Sequence, residues 1–171
     1  PPSPPPPPPE DGAIRLVDGN NYFGGRVEYH FDGEWGTICD DDFGDDEGKV
    51  ICRQLGFEFD KDRGADIYRW AAFGMGSGPI MLDELQCTGS EERLRDCKVE
   101  KTSWSFDWQK WRWELLTSNV AIDNTTIKKH DCTHYEDASV QCSLQPFGDQ
   151  NGDKRLVNGS TTFDGRVEHH D

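Results

Sequence analysis

The chain has 171 residues, 33 acidic against 18 basic, a formal net charge of −15 and six cysteines. This acidity argues against nucleic-acid binding, where cationic side chains supply the attraction to phosphate, and no run approaches the roughly 18 apolar residues that span a bilayer. Only 33% of residues are hydrophobic, so the core is small for the length and covalent ties are expected to help hold it.

The chain opens on proline, without the basic start and apolar run of a signal peptide. It is therefore expected to be an internal or processed piece of a longer protein. Residues 1–9 are proline except for Ser3, a composition that favours an extended polyproline II rod. Within a linker over 1–12, the rod reads as a stiff spacer; the alternatives are a docking ligand or a hydroxylated, glycosylated stalk.

The main unit, 13–143, holds all six cysteines. Residues 26–30 (Arg-Val-Glu-Tyr-His) alternate polar with apolar, as a strand with one buried face does. Residues 35–39 read as the returning strand across an Asp32-Gly33 turn. Asp45 or Asp46 is expected to cap a helix that carries Val50, Ile51 and Leu55 on one side and stops at Gly56. The glycine-rich stretch 73–79 must be a loop, 80–82 and 139–141 are short strand candidates, and Ser90 starts a brief helix carrying Leu94. Few helices, short strands and many turns predict a small α+β domain.

Two segments stand apart. Residues 104–113 contain four of the six tryptophans. Trp104, Trp108, Trp111 and Leu115 are spaced by four, three and four, which predicts one face of a helix, with Asp107, Lys110 and Glu114 facing away. That helix would cover its own domain or, with Trp113, form an interface, since tryptophan clusters are favoured hot spots. After a linker at 144–153, residues 154–171 expose a repeat. Arg15-Leu16-Val17 recurs as Arg155-Leu156-Val157 and Gly25-Arg26-Val27-Glu28 as Gly165-Arg166-Val167-Glu168, and ten of sixteen positions are identical at one fixed offset of 140. The chain thus reads as a tandem array cut early in its second copy.

Zinc sites use cysteine pairs two to four residues apart, whereas the nearest pair here, Cys87 and Cys97, is ten apart. An even count at wide spacing, with sequons at Asn124 and Asn158, predicts disulfides in an oxidising, extracellular setting. Spacing leaves fifteen connectivities open. His130 and His134 lack the glutamate of a zinc-protease helix, and the Gly74–Gly78 spacing fits neither a nucleophile elbow nor a dinucleotide loop. No nucleophile–base pair or cofactor loop is found, so no enzyme is expected. Arg93, Arg95, Lys98 and Lys101 gather positive charge, as a solvated face or an anion contact.

Several motifs then arrive in order: Arg-Leu-Val-Asp-Gly at 15–19, Gly-Arg-Val-Glu at 25–28, Trp-Gly-Thr-Ile-Cys-Asp-Asp at 35–41 and Val-Ile-Cys-Arg-Gln-Leu-Gly at 50–56. Gly-Ser-Gly-Pro-Ile at 76–80, Leu-Asp-Glu-Leu-Gln-Cys at 82–87 and Glu-Asp-Ala-Ser-Val-Gln-Cys at 136–142 follow. Together they resemble a scavenger receptor cysteine-rich domain, and the tail from Lys154 resembles the start of another. The tryptophan-rich stretch, within about 99–130, is longer than the family usually has there.

The resemblance implies a curved antiparallel sheet cradling one helix, and the six-cysteine subtype with bridges Cys39–Cys132, Cys52–Cys142 and Cys87–Cys97. Phe23 and Phe57 stand where the eight-cysteine subtype has a further bridge, and their rings are expected to approach each other. The residues themselves put six acids, Asp40, Asp41, Asp42, Asp45, Asp46 and Glu47, into eight positions, where they must face water or bind a hard cation; the spacing does not match an EF-hand. The resemblance implies one calcium site at Asp40, Asp41 and Glu136, and a second at Asp83, Glu84 and Asp131. The expected function is an extracellular, non-catalytic module binding a polyanion, glycan or protein with calcium assistance. The alternative is a structural repeat of a matrix, wall or filament glycoprotein that self-assembles through the tryptophan insertion and the proline rod.

Overall fold

The computed structural model describes residues 1–57 and 64–143, plus the backbone of two short strands at 147–148 and 154–155. Asn158 and most of the second repeat lie outside the described residues.

The fold is built around β2 (Gly24–Phe31), whose Val27 and Tyr29 enter the core. Arg26 pairs with both Val17 and Ser139, and Glu28 with both Arg15 and Thr37. Hence β1 (Ile14–Val17) lies along one edge of β2, while β9 (Ser139–Cys142) and β3 (Glu34–Ile38) follow one another along the other. β4 (Ala65–Tyr68) extends the sheet beyond β9, and β5 (Ile80–Leu82) beyond β3. Every pairing is antiparallel except β3–β5, which is parallel. The result is the curled sheet over one helix expected for the α+β reading.

The β2–β3 hairpin turns through Asp32 and Gly33, both at positive φ (49° and 75°), the two-residue turn whose twist suits a hairpin. Unlike a strand with one wet face, β2 is shielded on both: Arg26, Glu28 and His30 are all buried. Arg15 reaches over Glu28 at 2.6 Å, and Arg26 spans from Glu28 to the Gly74 carbonyl of the glycine-rich loop, so these charges are paired internally, although the buried Arg26 Nε itself has no hydrogen-bond partner.

Helix α1 (Asp45–Gln54) begins one residue earlier than the capping aspartates suggest, at an extended Gly44 whose N–H donates to Glu47 Oε2 at 2.9 Å. Its three acids occupy the first turn, where the helix dipole favours them. The helix ends in a Schellman motif: Phe57 N–H donates to the Cys52 carbonyl and Gly56 N–H to that of Arg53, with Gly56 at φ 77°. Val50 and Ile51 join Val27, Tyr29, Ile38, Phe43, Met81, Leu82, Leu94 and Val140 in the core. A Cβ on Gly48 would stand 2.9 Å from that of Ala65, so glycine lets the helix lie close on β4. The brief helix near Leu94 is a single 3-10 turn, Leu94–Asp96.

Three disulfides staple this frame: Cys39–Cys132, Cys52–Cys142 and Cys87–Cys97. Phe23 and Phe57 both pack on the Cys52–Cys142 bridge, and Tyr22 contacts each ring, at 5.2 and 5.8 Å between centroids; among the described residues the aromatic bridge runs through Tyr22.

The tryptophan-rich insertion is a β-hairpin, which corrects the helical expectation. β6 (Leu85–Gln86), β7 (Lys98–Asp107) and β8 (Arg112–Ala121) form a second sheet, with β7 and β8 paired in register from Lys98↔Ala121 to Asp107↔Arg112. The 4-3-4 spacing arises because a four-residue turn interrupts a period-two pattern. Trp104 and Phe106 alternate on one strand, Trp113 and Leu115 on the other, and Trp108 and Trp111 are the first and last residues of the turn. Asp107 Oδ1 accepts from the N–H groups of Gln109 and Lys110, fixing that turn. Serine, threonine and aromatic residues along both arms suit a pleated strand better than a helix.

Candidate functional site

Three segments converge beside the Cys39–Cys132 bridge. β3 delivers Cys39, after which come Asp40, Asp41 and Asp42. β5 ends in Leu82, whose carbonyl accepts from Cys39 N–H, and presents Asp83 and Glu84. The segment 131–137 is held by the disulfide and by Asp40 N–H donating to the Glu136 carbonyl at 2.7 Å. The two acidic triads implied by the resemblance therefore adjoin one another. Ligand-type atoms of Asp41 and Asp83 lie with the sulfurs of Cys39 and Cys132 within a mutual 4.8 Å. Those sulfurs are joined as a disulfide, so the donor set is carboxylate oxygen rather than thiolate, the kind that suits a hard cation.

The carboxylates raise one another's proton affinity. Asp41 is shifted upward by burial and then by Glu136, Asp40, Asp131 and Asp42. Asp83 is buried and also shifted upward, by desolvation first and then by Asp41 and Asp131, partly offset by the Glu84 N–H it accepts. Glu84 is pushed to about 7 by burial and by its hydrogen bond and repulsion with Asp42.

The expected ligands do not all turn to one point. Asp40 is buried, and its Oδ2 accepts the Trp70 N–H at 2.6 Å, fastening a neighbouring loop. Glu136 Oε2 accepts from Thr133 N–H at 2.8 Å, closing a 3-10 turn. Asp131 is exposed and lies near enough to act on both Asp41 and Asp83. Asp45, Asp46 and Glu47 leave the cluster for the helix, where Glu47 Oε1 accepts from Cys87 N–H at 2.8 Å and ties in the Cys87–Cys97 loop.

Beside the acids a cavity of about 400 Å³ is lined by Asp83, Glu84 and Asp131 on one side and by Lys101, Lys129, His130, Thr125 and Thr126 on another. Asp42 as partner of Glu84, and Lys129 as a cavity residue, are not evident from the sequence, because both roles are made by contacts between distant segments. The basic group expected around 93–101 divides: Arg93 binds Glu10 at 2.6 Å and Arg95 the Asp11 carbonyl at 3.3 Å, anchoring the N-terminal segment, while Lys101 reaches the cavity. His134 bridges Asp137 and the Gly78 carbonyl, and His130 its neighbour's carbonyl at Cys132, so the two histidines do not converge. Asn124 is exposed.

The hairpin carries the second notable surface. Trp104, Trp108, Trp111 and Trp113 are 67%, 73%, 76% and 64% exposed. Phe106, half-buried, meets Trp108, Trp111 and Trp113 edge-to-face at 4.8–6.0 Å. Register puts Trp104, Phe106, Trp113 and Leu115 on one face and the core-entering root residues Val99 and Val120 on the other. The aromatic face therefore points away from its own core. Opposite it, Lys110 pairs with Asp107 and Glu114, and Arg112 with Glu114.

Wide-loop disulfides, a curled sheet on one helix and outward-facing acidic and aromatic surfaces define a disulfide-stapled interaction domain of the extracellular kind. The family model of the scavenger receptor cysteine-rich domain matches residues 17–115, more than half of the chain. The chain belongs to that family, whose domains are extracellular interaction modules and typically non-catalytic. It is 37% identical over 159 residues to lysyl oxidase homolog 2 of Gallus gallus, covering 93% of this chain. It is 42% identical over 133 residues to galectin-3-binding protein of Pongo abelii, covering 78%. The chain spans only 16% and 18% of the length of these relatives. Among solved structures, the third SRCR domain of murine neurotrypsin is similar, with 38% identity, a TM-score of 0.56, and coverage of 78% of this chain and 97% of that one. Among the described residues no helix is long and apolar enough to cross a membrane.

Proposed function

We propose that this part of the protein is a non-catalytic recognition module that binds an anionic, glycan or protein ligand outside the cell, with Ca²⁺ held by the carboxylates beside the Cys39–Cys132 bridge. The observation that carries this reading is the convergence of Asp41 and Asp83 oxygens within 4.8 Å beside the bridge, where burial first, and neighbouring carboxylates second, shift Asp41, Asp83 and Glu84 upward. Their mutual repulsion is a cost that a divalent cation relieves, and hard oxygen donors suit Ca²⁺. Asp41 and Asp83 are the central donors, with Asp131, Glu84 and Glu136 beside them. A ligand's own sulfate, phosphate or carboxylate would complete the coordination, and Lys101 and Lys129 across the cavity would neutralise the remainder of its charge.

The test is thermal unfolding of the chain in chelator and in millimolar CaCl₂, alongside heparin titration in both buffers. The reading expects a calcium-dependent rise in Tm and heparin binding, both lost in Asp41→Asn/Asp83→Asn. An unchanged Tm up to 10 mM CaCl₂, about tenfold above the dissociation constant of the weakest extracellular calcium sites, sinks it. A second reading, a structural repeat of an extracellular assembly, is favoured by the outward aromatic hairpin. In either reading Asn124 is proposed as a glycan acceptor, checked by a mass shift on enzymatic deglycosylation.

A further inference from the structure

We propose that the aromatic face of the β7–β8 hairpin is a docking surface for a polyproline II segment, and that its occupant is the proline tract, residues 1–9, of a second copy of this chain. The inference deepens the assembly reading and is independent of the acidic cluster.

Several observations select this occupant. The tract is eight prolines and one serine, exposed throughout and without helix or strand. A polyproline II rod has no internal hydrogen bonds and loses little entropy on binding, and aromatic-lined grooves are its usual receptors. On the hairpin, Phe106, Trp108, Trp111 and Trp113 stand edge-to-face, with interplanar angles of 70–87°. With 64–76% of each tryptophan exposed, these crossed rings offer apolar faces and edges on which pyrrolidine rings can stack.

Size and charge agree. At about 3.1 Å per residue the tract extends for roughly 28 Å, and at about 3.3 Å per residue a ten-residue arm extends for roughly 33 Å. Four tryptophans of about 200 Å² each, some two-thirds exposed, offer on the order of 550 Å². This falls short of the roughly 800 Å² per partner of a standard protein interface and suits a peptide better than a second globular face. The chain carries −15, so copies repel one another. Residues 1–9 are uncharged, and 102–117 balance Asp107 and Glu114 against Lys110 and Arg112. The two elements can therefore meet where repulsion between copies is least.

The base of the rod is held by its own domain. Glu10 and Asp11 are clamped to Arg93 and Arg95, and Gly12 N–H donates to the His30 carbonyl at 2.9 Å, which fixes the rod's base immediately before β7. The held base leaves residues 1–9 exposed; a tract lying on its own hairpin instead of a neighbour's would show as a full chain that stays monomeric with rising concentration, which overturns the proposal. Docking between copies either is reciprocal and gives a dimer, or is head-to-tail and gives rings or open chains of molecules.

The experiment uses the full chain, the same chain lacking residues 1–9, and an unmodified synthetic peptide of residues 1–10. The full chain should associate with rising concentration in sedimentation velocity, and the shortened chain should remain monomeric. The peptide should shift and saturate the tryptophan emission of the shortened chain, whereas a peptide with every proline replaced by glycine should not. Trp108→Ala/Trp111→Ala should weaken peptide binding at least tenfold while leaving the domain's urea unfolding midpoint unchanged. Trp108→Phe/Trp111→Phe should restore most of it and guards against a folding artefact. A calcium-induced Tm shift should be the same in all variants, which separates this outcome from that of the acidic site. Association that survives removal of residues 1–9, or no peptide binding at millimolar concentration, overturns the proposal.

Discussion

Removing the Cys52–Cys142 bridge should nearly unfold the domain, whereas removing Cys87–Cys97 should not. The first closes a span of 90 residues and the second a span of 10. In the chain-entropy account these are worth about 4–5 and about 3 kcal/mol. Burial adds to the cost of losing either bridge, since Cys97 is also only 2% exposed, so the gap between them rests on loop length. Cys52 and Cys142 are 0% and 1% exposed, packed with Ala65, Phe23, Phe57 and Ile67, so truncating them adds about 1–2 kcal/mol of lost contact. The sum, about 6 kcal/mol, rivals the whole stability of an ordinary domain, about 5–15 kcal/mol. The comparison is Cys52→Ala/Cys142→Ala against Cys87→Ala/Cys97→Ala, followed by circular dichroism in guanidinium at 25 °C. The first variant should have its midpoint near zero denaturant and the second a clear folded baseline. If losing Cys87–Cys97 cost as much as losing Cys52–Cys142, long-range tethering would not be what holds this small core.

Three other outcomes are expected. Gly48→Ala gains about 1 kcal/mol of helix propensity but sets a Cβ 2.9 Å from that of Ala65 and 2.7 Å from Ile67 Cδ1. Overpacking of about 1–3 kcal/mol wins, and urea denaturation should show a net loss. In chelator, stability should fall as pH rises from 4.5 towards 7, because Glu84 holds its proton more tightly folded, at about 7, than its ordinary 4.5. Its contribution is present below the lower value and lost above the higher; partial exposure limits it to about 1 kcal/mol, readable in Tm against pH, and Ca²⁺ should raise Tm more at pH 8 than at pH 5. Asp137→Ala removes a fully buried carboxylate that accepts from Gly76 N–H at 2.7 Å and faces His134 at 3.1 Å. It should cost about 2–3 kcal/mol by orphaning both partners, measured as a shift in denaturation midpoint.

Local chemistry was legible from residues alone. The Asp32-Gly33 turn, the Gly56 helix stop and the alternation of β2 are written within a few positions, because backbone conformation answers to nearest neighbours. The motif order extended that reading to the family, and with it to the cysteine pairs. The tertiary structure decided the rest. Arg26 is buried under a loop 48 residues away and Glu28 under Arg15, which alternation cannot foresee. Trp104, Trp108 and Trp111 satisfy a helical spacing and a strand–turn–strand equally well; strand pairing broke the tie by satisfying each arm's backbone on the other. The acid run reads as one feature, yet the fold divides it: Asp41 joins Asp83, Asp131 and Glu136, while Glu47 braces the Cys87 loop. Charge along a chain states how many carboxylates there are, and only packing between distant segments determines which of them are buried together and shifted upward.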